Sequence, residues 1–275
     1  MTILMTIMIT LISLLIIFYF LIKPQKPTKK QLSPFHHRNI AHRGLHTEDK
    51  KIPENSMTAF QNAVKHNYGI ELDLQFTKDF QIVVFHDDTL DRVCGVPGRV
   101  DEFTYEQLKQ FKLCNQEEHI PLFLDVLKLV DGKVPLIVEL KTGRNNRRLC
   151  NNVYRMLKCY RGDYCIESFN PLILLWFRRH APQIYRGQLS SPCRSLKKVL
   201  PLTQAFFLGN CLSNIIGRPH FIAYDKKDTP FTVKLAYKLG AVPVVWTVRK
   251  KDDISYFEQK NETIIFEFYN PSSSF

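Results

Sequence analysis

Nine short apolar runs, most of them separated by helix-like stretches, constrain this chain more than any other feature of its sequence. The runs are Asn39–Ala41, Ile70–Leu74, Ile82–Phe85, Leu136–Leu140, Tyr164–Ile166, Ile184–Arg186, Phe221–Ala223, Val242–Val248 and Ile264–Phe268. Between most of them lie helix candidates: Ser56–Lys65, Thr104–Phe111, Leu122–Val130, Arg147–Tyr160, Pro171–Arg179 and Pro230–Lys238. Such alternation predicts a parallel sheet covered by helices. One connection cannot be a parallel crossover, because only residues 75–81 separate two runs and a crossover needs about a dozen. Ile82–Phe85 is therefore expected to fold back on Ile70–Leu74 as a hairpin. The eight runs that remain are the strand count of a (β/α)8 TIM barrel, whose active site lies at the C-terminal ends of its strands. Residues 91–119 then form a small insertion above that mouth, after the second barrel strand.

The N-terminus is of another kind. No residue from Thr2 to Ile22 is charged. At about 1.5 Å per residue, a helix of that length crosses a hydrocarbon core of roughly 30 Å. A cleaved signal peptide fits less well, since no Lys or Arg precedes the run and no A-x-A-like site follows it. Lys23, Lys26, Lys29 and Lys30 follow directly, so the positive-inside rule predicts a single-pass membrane protein with a cytoplasmic C-terminal domain. The expected organisation is an anchor over 1–22, a Lys/Pro/Gln linker over 23–36 acting as an extended tether, and the barrel over 37–275.

The formal charge is +12, and the four linker lysines leave +8 on the rest. A basic domain suits anionic lipid or anionic substrates. No nucleic-acid motif accompanies the charge, so no nucleic-acid partner is expected. Seven scattered cysteines without a CxxC pair suggest neither a disulfide framework nor a zinc knuckle.

Four clusters can carry chemistry. His42-Arg43-Gly44 follows the first strand, where a His can move protons and an Arg can hold phosphate. Glu71 and Asp73 stand two apart on a strand and so share a face. Their repulsion calls for a cation, and a hard divalent ion such as Ca2+ or Mg2+ is the natural partner. His86-Asp87 ends the hairpin. With a turn centred between Lys78 and Asp79, Asp73 pairs near Val84 and Glu71 near His86, which brings His86 beside the acids; a slip of one residue breaks that register. Glu139 and Lys141 again share a face and add an acid and a cation. Taken together these residues meet the three needs of phosphoryl chemistry: charge neutralisation, proton transfer and positioning.

At these residues the sequence resembles the glycerophosphodiester phosphodiesterase family. The ordered segments are His42-Arg43-Gly44, Pro53-Glu54-Asn55-Ser56, Gly69-Ile70-Glu71-Leu72-Asp73, Val84-Phe85-His86-Asp87 and Leu90-Asp91-Arg92. Glu139-Leu140-Lys141, Ser168-Phe169-Asn170 and Trp246-Thr247-Val248 follow. The resemblance implies metal-dependent hydrolysis of a glycerophosphodiester to glycerol 3-phosphate and an alcohol. His42 and His86 would be the acid/base pair, Arg43 and Lys141 the phosphate contacts, and Glu71, Asp73 and Glu139 the metal ligands. It leaves open whether water or a glycerol hydroxyl attacks first. Asn55 is expected to cap the following helix, and Trp246 to line the mouth against substrate. Three departures stand out: Arg249 where the family often has Asn, Ile264-Ile265-Phe266-Glu267-Phe268-Tyr269-Asn270-Pro271 in place of a Gly/Asp-rich ending, and Val93-Cys94-Gly95-Val96-Pro97-Gly98 where Thr/Asn-rich sequence is common. Alternative functions are a lysophospholipase D or phospholipase C-like lipid phosphodiesterase, or a non-catalytic membrane-tethered binding protein on the same fold.

Overall fold

The computed structural model describes residues 2–275. Its strands are β1 (Arg38–Ala41), β2 (Gly69–Phe76), β3 (Ile82–Val84), β4 (Leu136–Leu140) and β5 (Tyr164–Ser168). They continue with β6 (Arg186–Ser190), β7 (Phe221–Asp225), β8 (Val242–Val248) and β9 (Thr263–Phe266). The hydrogen-bonded order is β1-β9-β8-β7-β6-β5-β4-β2, and β1 also pairs with β2, which closes a barrel of eight parallel strands. β3 hangs antiparallel on β2, as the short connection requires.

The register of that hairpin corrects the sequence expectation by one residue: Leu74, not Asp73, pairs with Val84. The turn centres on Asp79. Thr77 Oγ1 donates to Asp79 Oδ1 at 2.6 Å and accepts from the Gln81 amide at 2.9 Å, which holds a wider loop than a two-residue turn. β3 ends at Val84, so His86 lies beyond the ladder and turns free of the register.

The helices are α1 (Thr2–Ile22), α2 (Lys29–Leu32), α3 (Met57–Lys65), α4 (Asp91–Cys94), α5 (Tyr105–Leu108) and α6 (Phe123–Val130). Next come α7 (Asn146–Cys159), α8 (Pro171–His180), α9 (Cys193–Leu196) and α10 (Leu202–Gly209). The last are α11 (Asn214–Gly217), α12 (Phe231–Lys238) and α13 (Ile254–Lys260). The expected insertion, residues 91–119, carries α4 and α5. It has its own small core, in which Val93, Val100, Leu108 and Leu113 pack on Val83 and Phe85.

Alternation along each strand sorts the core. Ile70, Leu72, Leu136, Val138, Ile166 and Phe266 face outward to the helices. Ile40, Ile137, Cys165, Leu189, Phe221 and Ile265 fill the barrel floor. Two residues further along the strands, on the same inward face, the floor gives way to carboxylates: Asp73 is in register with Glu139, and Glu139 with Glu167. An apolar floor below and acids above leave one polar end, the mouth.

The linker is docked rather than free. The Gln25 amide donates to Pro219 O at 2.9 Å, and Arg186, wholly buried at the base of β6, donates from Nη2 to Gln25 Oε1 at 2.6 Å. Arg186 also donates to the carbonyls of Gly217 and Arg218, and burial lowers its guanidinium to about 10. A Thr28 capping box starts α2. The root of α1 is tied in as well, through Asn214 Nδ2 to Ile22 O at 3.0 Å and Arg218 Nη1 to Lys23 O at 2.7 Å.

Candidate active site

The turn after β1 is built for close approach. Gly44 has φ +77°, and a Cβ there would lie 2.9 Å from the Ala59 Cβ, so only glycine lets the turn sit against α3. Arg43 takes φ +54°, an uncommon conformation for a side-chain-bearing residue, and its amide donates to Glu71 Oε2 at 2.9 Å. His42 is thereby directed at the strand-end acids: its Nε2 lies 3.9 Å from Glu71 Oε2 and its Nδ1 3.4 Å from Glu267 Oε1. Burial, helped by the Arg43 charge, lowers the His42 pKa and favours the neutral imidazole.

Oxygens of Glu71, Asp73 and Glu139 lie within 4.8 Å of one another, all three residues buried. Lys141 Nζ bridges two of them, 2.9 Å from Asp73 Oδ1 and 2.9 Å from Glu139 Oε1. Asn55 Nδ2 donates to Asp73 Oδ2 at 2.8 Å. This corrects the capping expectation: Asn55 serves the acid site at φ +54°, and Ser56 caps α3 by accepting from the Ala59 amide.

The carboxylates do not share one electrostatic state. Burial opposes the charge on Asp73, yet Lys141, His86 and Arg43 outweigh it and hold the group well below the usual range. Burial, then the Asp73, Glu167 and Glu139 carboxylates, push Glu71 well above it. Glu139 is raised too, by burial and Asp73 against the pull of Lys141. Three buried oxygen donors carrying more negative charge than Lys141 neutralises are a fitting donor set for a hard divalent ion.

A second network steadies the other histidine. His86 Nδ1 lies 2.5 Å from Asp87 Oδ1, and Arg92 donates to Asp87 Oδ2 from Nε at 2.6 Å. Arg92 also donates to both oxygens of Glu54, each at 2.7 Å, and Arg43 Nη1 donates to Glu54 Oε1 at 2.6 Å. Burial would raise Glu54, but the two arginines bring it down to about 2. The chain of pairs thus links both histidine loops.

All eight residues singled out in the sequence lie at the barrel mouth or immediately beyond strand ends there. His42, Arg43 and Trp246 line one open cleft of about 380 Å³ together with His46, Glu54, Arg92, Arg249 and Glu267. Trp246 donates from Nε1 to Ala223 O at 3.0 Å and stands edge-on to Phe169, with centroids 5.8 Å apart. Sequence reasoning missed Glu167, which is buried beside Glu139, has Oε2 without a hydrogen-bond partner and is pushed well above the usual range by burial and Glu139. A lone acid in an otherwise apolar strand was the available signal. It also gave no role to Asp87, Arg92 or His46, whose ring is lowered to about 4, chiefly by burial.

The sequence pattern of the Glycerophosphoryl diester phosphodiesterase family matches residues 42–268. The chain belongs to that family. It is 31% identical over 231 residues to a glycerophosphodiester phosphodiesterase of Caldanaerobacter subterraneus subsp. tengcongensis, spanning 78% of this chain and 87% of the relative. A human lysophospholipase D is 27% identical over 285 residues, spanning 94% of this chain and 83% of the relative. Among solved structures, an Oleispira antarctica phosphodiesterase in complex with the product sn-glycerol-3-phosphate superposes with a TM-score of 0.68 at 20% identity. The superposition covers 86% of this chain and 94% of the other. In this member of the glycerophosphoryl diester phosphodiesterase family, the histidine, acid and lysine segments sit at the mouth ends of barrel strands.

Proposed function

We propose that the chain hydrolyses glycerophosphodiesters to glycerol 3-phosphate and an alcohol, with His42 and His86 as the acid/base pair. The observation that carries this reading is the pairing of two separately anchored histidines with one acid-and-cation cluster at the mouth. His42 is partly buried and held toward the neutral form, and with Nδ1–H donating to Glu267 its Nε2 keeps a free lone pair toward the cluster, as a base requires. Nδ1–H of His86 donates a hydrogen bond to Asp87, which fixes the ring, and Nε2, when it too carries a proton, delivers that proton to the leaving oxygen and leaves the ring neutral. Arg43 and Lys141 hold the phosphoryl oxygens, and Trp246 bounds the space for the glycerol or alcohol moiety. Glu71, Asp73 and Glu139 would hold a divalent ion, Ca2+ or Mg2+, whose chemistry there is to neutralise charge on the phosphoryl oxygens.

A second reading, a lysophospholipase D, is favoured by the 27% identity to the human enzyme of that name across most of the chain and by the apolar helix α1. α1 is read as an uncleaved membrane anchor, with the following lysines keeping the barrel in the cytoplasm. The experiment is to incubate the full chain, in detergent, with glycerophosphocholine, glycerophosphoethanolamine, glycerophosphoglycerol and a lysophospholipid, with and without chelator. Chelator-sensitive release of glycerol 3-phosphate is the expected result. Turnover of the lysolipid alone would establish the second reading in its place, and silence on all four would refute both.

A further inference from the structure

The flank between β6 and β7 differs from the rest of the barrel. Among the described residues outside α1, nine large apolar side chains are exposed, and six of them fall between Val199 and Phe231. Val199 is 79% exposed, Phe231 73% and Phe206 51%, joined by Leu202, Phe207 and Ile215. They fall on neighbouring elements. α9 and α10 pack together, and Thr232 at the start of α12, next to Phe231, donates to Asn210 at the end of α10 at 3.2 Å. α11, which carries Ile215, packs against α1. Single exposed apolar residues need no explanation, but a contiguous apolar surface does.

Charge separates the candidate occupants. From Ser168 through Tyr224 the chain contains no Asp or Glu, and it contains seven Lys and Arg. Lys197 and Lys198, exposed immediately before Val199, make no ion pair among the described residues. Arg194 reaches out of the stretch to Asp228 at 2.9 Å. An apolar surface edged with lysine and free of acid is the pattern of a segment lying at a bilayer interface, where aromatic and aliphatic groups sink below the headgroups and amines stay among the phosphates. A second copy of this chain would set basic edge against basic edge.

Position supplies the remaining argument. The same flank receives the root of α1, through Asn214 to Ile22 O at 3.0 Å and Arg218 to Phe20 O at 2.9 Å. A bilayer holding α1 begins where this surface begins. We propose that the face made by α9, α10 and the start of α12 lies in the headgroup layer of an anionic phospholipid bilayer beside the α1 span. The proposal rests on the reading of α1 as a membrane anchor. It turns the barrel so that its β6–β7 side, rather than its floor alone, meets lipid.

Tryptophan placed on the full chain tests this in vesicles of phosphatidylcholine and phosphatidylserine whose acyl chains are brominated near the headgroup. Four proteins are compared: the parent with its native Trp176 and Trp246, and the variants Phe206→Trp, Leu14→Trp in α1 and Leu124→Trp. Leu124 is an exposed apolar site on α6, far around the barrel. After subtraction of the parent signal, Phe206→Trp and Leu14→Trp should each lose most of the added emission to bromine, while Leu124→Trp keeps it. Replacing phosphatidylserine by phosphatidylcholine should weaken quenching at 206 and leave it unchanged at 14. Quenching at 14 without quenching at 206 overturns the docking face and leaves the anchor standing. Quenching at neither overturns the anchor and the face together. A residue 206 signal shielded from both brominated lipid and aqueous iodide means that a second copy covers the surface, and also overturns the proposal.

Discussion

Arg249 donates two hydrogen bonds to one oxygen of Glu267, from Nε at 3.1 Å and Nη2 at 2.9 Å, while the other Glu267 oxygen faces His42 Nδ1 at 3.4 Å. Arg249, just past β8, and Glu267, just past β9, are thus partners between neighbouring strand ends. Burial would raise Glu267, but His42 and Arg249 bring it down to about 2, so it is a carboxylate at neutral pH. A carboxylate there selects the His42 tautomer with its proton on Nδ1. Glu267→Ala should lower kcat by about 10-fold, as for other partners that orient a working histidine, with KM little changed. Glu267→Asp should recover part of the loss, and equal kcat for wild type and Glu267→Ala would dissociate the residue from the reaction.

The histidines themselves should matter more. His42→Ala and His86→Ala are each expected to reduce turnover by roughly 10²-fold or more. Steady-state release of glycerol 3-phosphate measures this, and a variant that retains near wild-type turnover removes its histidine from the mechanism.

The acid cluster makes the ion a stability question too. Burial and neighbouring carboxylates raise Glu71 and Glu139 above the ordinary glutamate range in the folded state. A raised carboxyl binds its proton more tightly in the folded state, so metal-free protein should lose stability as pH rises above about 4.5. Glu54 and Glu267, both lowered to about 2, act oppositely: their contribution is complete above the unfolded value and is lost as pH falls toward 2. At pH 7, Ca2+ or Mg2+ at a hundredfold its Kd should stabilise the fold by about 2.7 kcal/mol. Thermal unfolding reads the shift. Glu71→Gln should diminish it, and an equal shift in that variant would refute the ligand assignment.

Gly44 is a backbone test of the same loop. Gly44→Ala places a Cβ against Ala59 at a φ of +77° and should cost about 2 kcal/mol or more. Urea unfolding would check it, and a variant as stable as wild type would show that the turn can relax without its glycine.

The sequence was most informative where local pattern and burial agree. β4 and β8 fall on their expected residues because each is a mostly apolar run, β4 buried along its whole length and β8 partly exposed only at Pro243, Trp246 and Thr247. β6 runs Arg186–Ser190 rather than Ile184–Arg186, because Gly187-Gln188-Leu189-Ser190 has little strand character of its own. There the Phe221 ring takes the space of a missing side chain, 2.0 Å from where a Gly187 Cβ would stand. α10 was not anticipated, since its Leu202, Phe206 and Phe207 point to solvent and show no core-facing period, and the four-residue helices α9 and α11 are too short to show one. α13 escaped as well; none of its residues is fully buried. The hairpin register depended on Thr77 and Asp79 side chains shaping the turn. The Arg249–Glu267 pair joins two strands and leaves no trace in either one alone.

The docked linker also limits where this enzyme can work. A free chain from Lys23 to Pro34 could carry the barrel about 40 Å from the lipid, at roughly 3.4 Å per residue. Held instead by Gln25, Arg186 and Arg218, the barrel has almost no slack. If α1 is embedded, the mouth stays at one height and tilt, and it meets substrate by drifting in the plane of the lipid rather than by reaching into the surrounding water.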